Sequence, residues 1–192
     1  MLIDPSLLYT LPLDSPDAAL NSVGGKGRSL AVLARAGFPV PSGFHITTGA
    51  YGCFLKANPM GGPIFDRIQG AVGDLAALEQ ASEAVQRLFE TGEIPDEIEQ
   101  AVLQAYAALG GVETAVAVRS SATAEDLPGL SFAGQQETYL NIRGEAALLR
   151  AVRRCWASLW SARAVGYRKQ MGVAQQGVAM GVVVQTMVPA EV

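Results

Sequence analysis

The chain has 192 residues, 49% of them hydrophobic and 17% charged, with a formal net charge of −4. That composition supports one domain of ordinary size, or two small lobes, around a substantial core, and it excludes a disordered chain. No basic tract points to nucleic acid, and no apolar run is long enough to cross a membrane. Met1 to Leu13 lacks a basic start and carries Asp4, Pro5 and Pro12, so it does not read as a signal peptide. Cys53 and Cys155 are far apart and form no CxxC pair. They read as reduced, buried thiols of a cytoplasmic protein.

In chain order, Pro5, Pro12 and Pro16 keep Met1 to Leu20 extended, with a short strand around Leu7 to Leu11. Val23-Gly24-Gly25-Lys26-Gly27 then leads into a helix over Ser29 to Ala36, which Gly37 stops. A glycine loop bearing a lysine at a helix N-terminus suits an anion. It also reads as a flexible turn with an exposed lysine, and it lacks the residues of a Walker A loop. Gly43 to Thr48 alternates as a strand. His45, the only histidine, has no ligand partner nearby and reads as structural.

Gly49 to Ala57 reads as a short helix, and Asn58 to Pro63 as a loop. Asp74 caps a helix whose stripe is Leu75, Leu78, Ala81, Val85, Leu88 and Phe89, ended by Gly92. Pro95, Asp96 and Glu97 open another, with Ile98, Val102, Ala105, Tyr106 and Leu109 as its stripe. Gly144 to Met171 reads as helix, with Trp156 and Trp160 together on its apolar face. Its charges, Arg150, Arg153, Arg154, Arg163, Arg168 and Lys169, read as a solvated face. Val178 to Val188 alternates as a strand, in which Gln185 needs a hydrogen-bonding partner.

Ala115 to Ile142 is the stretch around which the rest is organised. Ala115 to Val118 reads as a buried strand, Arg119 to Gly134 as a polar small-residue loop, and Gln136 to Ile142 as a second strand with Thr138, Leu140 and Ile142 on one face. Arg119 offers a planar, permanently charged fork to phosphate oxygens, and Ser120, Ser121 and Thr123 add hydroxyls. The alternative is a surface hairpin in which Arg119 pairs with Glu125 or Asp126.

The run Arg119 to Asn141, RSSATAEDLPGLSFAGQQETYLN, resembles the signature of the nucleotide-binding domain of phosphoenolpyruvate synthases, pyruvate phosphate dikinases and rifampicin phosphotransferases. Val23 to Tyr51, Cys155 to Arg168 and Gly181 to Glu191 are similar to further parts of that domain. The resemblance implies an α+β fold, the first lobe of an ATP-grasp-type nucleotide-binding domain, with a mixed or antiparallel sheet packed against helices over residues 1–192. It implies that Lys26 and Arg119 hold phosphates, that Gly134 and Thr138 lie on the phosphate-binding loop and strand, and that Gln185 contacts the adenosine end. Ser120, Ser121 and Gln135 are further neighbours.

The family's magnesium ligands, its phosphorylated histidine and its acceptor site match nothing in these residues. They are expected on a second lobe and on separate domains, leaving no catalytic or metal residue here and an inactive fragment. The implied function is the ATP-binding part of an ATP-dependent phosphotransferase that uses ATP and Mg2+. The phosphoryl group passes through a histidine on another domain to pyruvate, as in a phosphoenolpyruvate synthase. Alternatives are a rifampicin phosphotransferase acting on a rifamycin hydroxyl, and a free-standing nucleotide-binding regulatory module without catalysis. ATP and a small-molecule acceptor are the expected partners, with dimerisation through an apolar face also expected.

Overall fold

Five short apolar runs pair into one sheet. They are β1 (Thr10–Pro12), β2 (Gly43–Ile46), β3 (Val116–Ala122), β4 (Thr138–Ile142) and β5 (Met180–Thr186), in the order β1-β2-β5-β3-β4. Every neighbouring pair is antiparallel. The computed structural model describes residues 9–111, 113–123 and 137–188.

The strand registers divide the side chains between two faces, because successive residues of a strand point to opposite sides. Leu11, His45, Val183, Gln185, Ala117, Arg119, Ser121 and Thr138 share the first face. Phe44, Ile46, Val182, Val184, Val116 and Val118 share the second, and all six are at most 4% exposed.

The second face meets the main core. α2 (Thr48–Ala57), α4 (Leu75–Thr91) and α6 (Glu145–Ser158) supply its aromatic centre. Phe54 and Phe89 stack at 5.5 Å between ring centroids, and Trp156 tilts against Phe54 at 4.9 Å. Around them lie α3 (Gly61–Ala71), α5 (Asp96–Ala107) and α7 (Ala162–Gln170). Trp156 and Trp160 are both buried, and Trp160 Nε1 donates to the Tyr51 hydroxyl at 2.9 Å. None of the described helices is long and apolar enough to cross a membrane.

The first face carries α1 (Leu20–Arg35), which packs through Val23 and Ala31 onto Leu11 and Ala18 as a smaller core. The helical span breaks at Gly24, at φ 74° and ψ 176°. A helical turn therefore precedes the glycine loop expected at Val23 to Gly27, and the longer segment starts after Gly24. Gly37, at φ 80°, ends α1 as expected.

Several expectations change. β3 runs through Arg119, Ser120 and Ser121 to Ala122, where a loop was expected from Arg119 onward. Small polar side chains suit this strand because β5 supplies backbone partners along its whole length. In β4 the simple alternation fails. Ile142 pairs with Val116 but Tyr139 pairs with Val118, so β4 carries one extra residue. Asn141 takes up that bulge at φ 56°. Leu140 is thereby turned outward at 62% exposure, while Tyr139 and Ile142 pack on the core.

Gly61 to Ala71 is a helix where Asn58 to Pro63 alone had been read as a loop. Pro63 fits its first turn, and Ile64, Ile68 and Ala71 are its buried stripe. Gly144 to Met171 is two helices, because the Ser161 hydroxyl caps a new one by accepting from Ala164 N. Arg168 is not on a solvated face; it is 1% exposed.

The bulge makes a direct prediction. Asn tolerates a left-handed backbone and a β-branched residue does not, so Asn141→Val is expected to cost about 1–2 kcal/mol in denaturant unfolding. Asn141→Gly is expected to be neutral or slightly stabilising.

Candidate functional site

Three of the residues singled out in the sequence, Arg119, Thr138 and Gln185, share the first face, beside α1. Arg119 is the register partner of Thr138 on β4 and of Val183 on β5. Its Nη1 donates to Gln185 Oε1 at 3.4 Å, and Gln185 Nε2 donates to the Pro41 carbonyl at 3.5 Å. The polar group amid β5 thus finds partners in an arginine and in the connector before β2. Arg119 Nε is buried with no hydrogen-bond partner among the described residues.

Lys26 arrives from α1. Its Nζ donates to the Ser120 carbonyl at 2.7 Å, so the ammonium sits against the peptide that joins Ser120 to Ser121. The approach depends on glycines. A Cβ on Gly24 would lie 2.1 Å from the Ser121 carbonyl oxygen, and one on Gly181 would lie 2.7 Å from the Val23 carbonyl oxygen. Ser121 and Gly181 are themselves register partners. The turn at Val23–Gly24 therefore lies backbone against backbone on β3 and β5, a contact that no larger residue permits.

The two serines have their hydroxyls engaged within the protein. Ser121 Oγ accepts the Gly27 N–H at 3.0 Å, pegging the start of the long α1 segment to the sheet. Ser120 points to the second face, where its Oγ accepts the Glu137 N–H at 3.0 Å. Both are fully buried. Thr138 is exposed beside Arg119. Gly134 and Gln135 lie outside the described residues, as do Glu125 and Asp126.

His45 lies in the same register row as Val183 and Arg119, beneath the lysine turn. Its Nε2 donates to the Leu13 carbonyl at 3.0 Å, because a carbonyl can only accept. Its Nδ1 has no partner among the described residues and would lie 3.2 Å from a Cβ on Gly27. Burial holds His45 below its ordinary value, partly offset by the Leu13 carbonyl. These contacts fasten the ring between the Leu13 carbonyl and the lysine turn.

Sequence reasoning missed Ser121 as the peg, Gly181 as the floor under the turn and the Pro41 carbonyl as partner of Gln185. For Gly181 a signal existed, since an isolated glycine in a valine-rich strand marks close backbone approach. The chemistry of the face is consistent. An arginine, an exposed hydroxyl and an amide share a strip of sheet with a lysine anchored at its edge, which suits a polyanion. Among the described residues, no group of three or more His, Cys, Asp or Glu comes together to hold a metal.

Residues 20–192 match the family model described as the pyruvate phosphate dikinase AMP/ATP-binding domain. The chain is 48% identical over 177 residues to a rifampicin phosphotransferase of a Streptomyces species, covering 91% of this chain and 20% of that protein. It is 45% identical over 173 residues to a probable phosphoenolpyruvate synthase of Methanocaldococcus jannaschii, covering 88% of this chain and 15% of that protein. The phosphoenolpyruvate synthase of Aeropyrum pernix is 44% identical over 172 residues, covering 86% and 21%. The chain therefore spans between about a seventh and a quarter of the length of the curated relatives it matches.

Two predictions follow from the geometry. Gly24→Ala is expected to destabilise the protein by more than about 2 kcal/mol, through both the positive φ and the collision with Ser121, whereas Gly52→Ala, a helical position with open space, is expected to be neutral or stabilising. Thermal unfolding of both variants checks this. For His45, the folded value lies below the unfolded value of about 6.5, so the unfolded chain takes up the proton first as pH falls. Stability attributable to His45 is expected to be intact above about pH 6.5 and to decline below it, by at most about 1.4 kcal/mol per pH unit, and His45→Val is expected to flatten that part of the profile. The matching span, 173 of the 192 residues, establishes that this chain belongs to the pyruvate phosphate dikinase AMP/ATP-binding domain family.

Proposed function

We propose that the first face of the sheet binds ATP, and that the chain is the first lobe of an ATP-grasp-type nucleotide site. Lys26 and Arg119 hold phosphate oxygens. Thr138 lines the same strip, and Gln185 marks the adenosine end next to the Pro41 carbonyl; Gly134 and Gln135, outside the described residues, are assigned to the nucleotide through the family resemblance alone. The observation that carries this reading is the anchoring of Lys26 from α1 on the carbonyl of Ser120, the residue after Arg119 on β3, in a family described by AMP/ATP binding. Ser120 and Ser121 take a supporting part, holding Glu137 and Gly27.

Phosphoryl transfer asks mainly for positioning and for neutralisation of charge on the transferred group. Lys26 and Arg119 supply that charge, and the arginine fork is held ready by Gln185. Magnesium would supply further charge neutralisation at the phosphates, and on this reading its ligands belong to a second lobe. In the whole protein, on this reading, a phosphoryl group leaves ATP for a histidine on another domain and passes from there to a small acceptor in the cytoplasm. Pyruvate is the acceptor in the first reading, as in the phosphoenolpyruvate synthases that the chain resembles. A rifamycin hydroxyl is the second, favoured by the 48% identity to a rifampicin phosphotransferase.

The test is calorimetric titration of the intact protein with ATP and magnesium. Charged hydrogen bonds contribute about 1.5–3 kcal/mol each, so Arg119→Ala and Lys26→Ala are each expected to weaken ATP binding by roughly 10- to 150-fold. Unchanged affinity in both variants, in protein that is folded and binds ATP, would place the nucleotide elsewhere. ATP binding without phosphoryl transfer to any acceptor would favour a regulatory module.

A further inference from the structure

The helical layer holds a second built site, on the other side of the sheet from Lys26 and Arg119. A cavity of about 540 Å³ lies between α2, α3 and the segment that follows α7. Its floor is apolar and aromatic: Tyr51, Ile64 and Trp160, each at most 6% exposed, with Leu55 and Phe65. A volume of that size with a mostly apolar wall and a few polar groups is typical of small-molecule sites.

The polar groups around it attract negative charge. Arg168 is 1% exposed and lies behind the wall. Its guanidinium is 5.6 Å from the Trp160 ring centroid, and its Nε donates to Gln175 Oε1 at 2.8 Å. Trp160 and Gln175 both line the cavity. Arg168 Nη2 has no acceptor among the described residues. Burial lowers the guanidinium only to about 10, so it remains charged at neutral pH. Gln175 is locked in place, since its Nε2 donates to the Val165 carbonyl at 3.1 Å. The Tyr51 hydroxyl accepts from Trp160 and keeps its own hydrogen for another acceptor.

A separate feature lies at the mouth. Gly61 and Gly62 open α3 and line the cavity. No side chain caps that helix end, which puts the positive end of its dipole at the edge of the cavity. Asp66, exposed at the rim, is the acidic residue among those lining the cavity. A buried cation one side chain behind the wall and an uncapped helix start thus lie beside one apolar pocket.

We propose that this cavity binds a small carboxylic acid with an aromatic or branched apolar body, the body lying against Trp160, Ile64 and Phe65 and the carboxylate drawn by Arg168, Tyr51 and the start of α3. The site is independent of the nucleotide face, and its occupancy fastens α3 and the segment after α7 onto α2.

Tryptophan fluorescence of the intact protein at neutral pH tests it, with 3-phenylpropionate and its neutral amide as probes. The acid is expected to quench saturably and the amide to bind at least tenfold more weakly. Arg168→Gln is expected to remove that preference. Gly62→Leu, at a position where a Cβ meets nothing within 4 Å, keeps the helix and fills the mouth, and it is expected to abolish quenching by both. Saturating ATP is expected to leave the acid's affinity unchanged. The proposal is overturned by the absence of saturable quenching, by equal affinity for acid and amide, by persistence of binding in Gly62→Leu, or by competition from ATP. If Arg168→Gln does not fold, the acid–amide comparison and Gly62→Leu still decide.

Discussion

The contact on which the rest depends is the close approach of the turn at Val23–Gly24 to β3 and β5. Two backbones meet there with no side chain between them, at Gly24 over Ser121 and at Val23 over Gly181. Once that contact exists, the Gly27 amide reaches Ser121 Oγ and Lys26 reaches the Ser120 carbonyl. Any residue larger than glycine at 24 or 181 would lift α1 and carry Lys26 away from the Ser120 carbonyl. The glycines that looked like a loop for an anion act first as a packing device, and the lysine is placed by that packing.

The sheet separates two tasks. Its second face is apolar and anchors the aromatic centre of Phe54, Phe89 and Trp156. Its first face is half covered by α1 and leaves Arg119, Thr138 and Gln185 beside it. An antiparallel sheet allows this division because alternate residues of one strand serve different layers. β3 illustrates it: Val116 and Val118 enter the core while Arg119 reaches the polar strip, and Ser120 and Ser121 fasten opposite sides. A charged residue in mid-strand is sustained by Gln185, which is in turn held at the Pro41 carbonyl.

Much of this was legible in the sequence for identifiable reasons. Periodicity gave α4 and α5, and strict alternation gave both faces of β5, because those patterns are set by local geometry. The family resemblance pointed to Lys26, Arg119, Thr138 and Gln185, and it agrees with the family to which the chain belongs. What escaped depends on contacts remote in sequence. The strand character of Ser120 and Ser121 comes from pairing with residues about sixty positions later. The bulge at Asn141 is visible only in the register with β3. Arg168 was read as solvated because its helix carries other cations, yet the segment returning through Gln175 buries it. α3 was missed because Gly61 and Gly62 suggested a loop, although Ile64, Ile68 and Ala71 already had helical spacing.

The central claim is that nucleotide lies on the strip beside α1. Hydrogen–deuterium exchange of the intact protein, with and without magnesium and ATP, reads it directly. The account predicts added protection over residues 23–29, 116–122 and 181–186, with residues 61–71 and 175–178 unchanged. Protection confined to the helical layer, with the 23–29 turn exchanging as before, would contradict it.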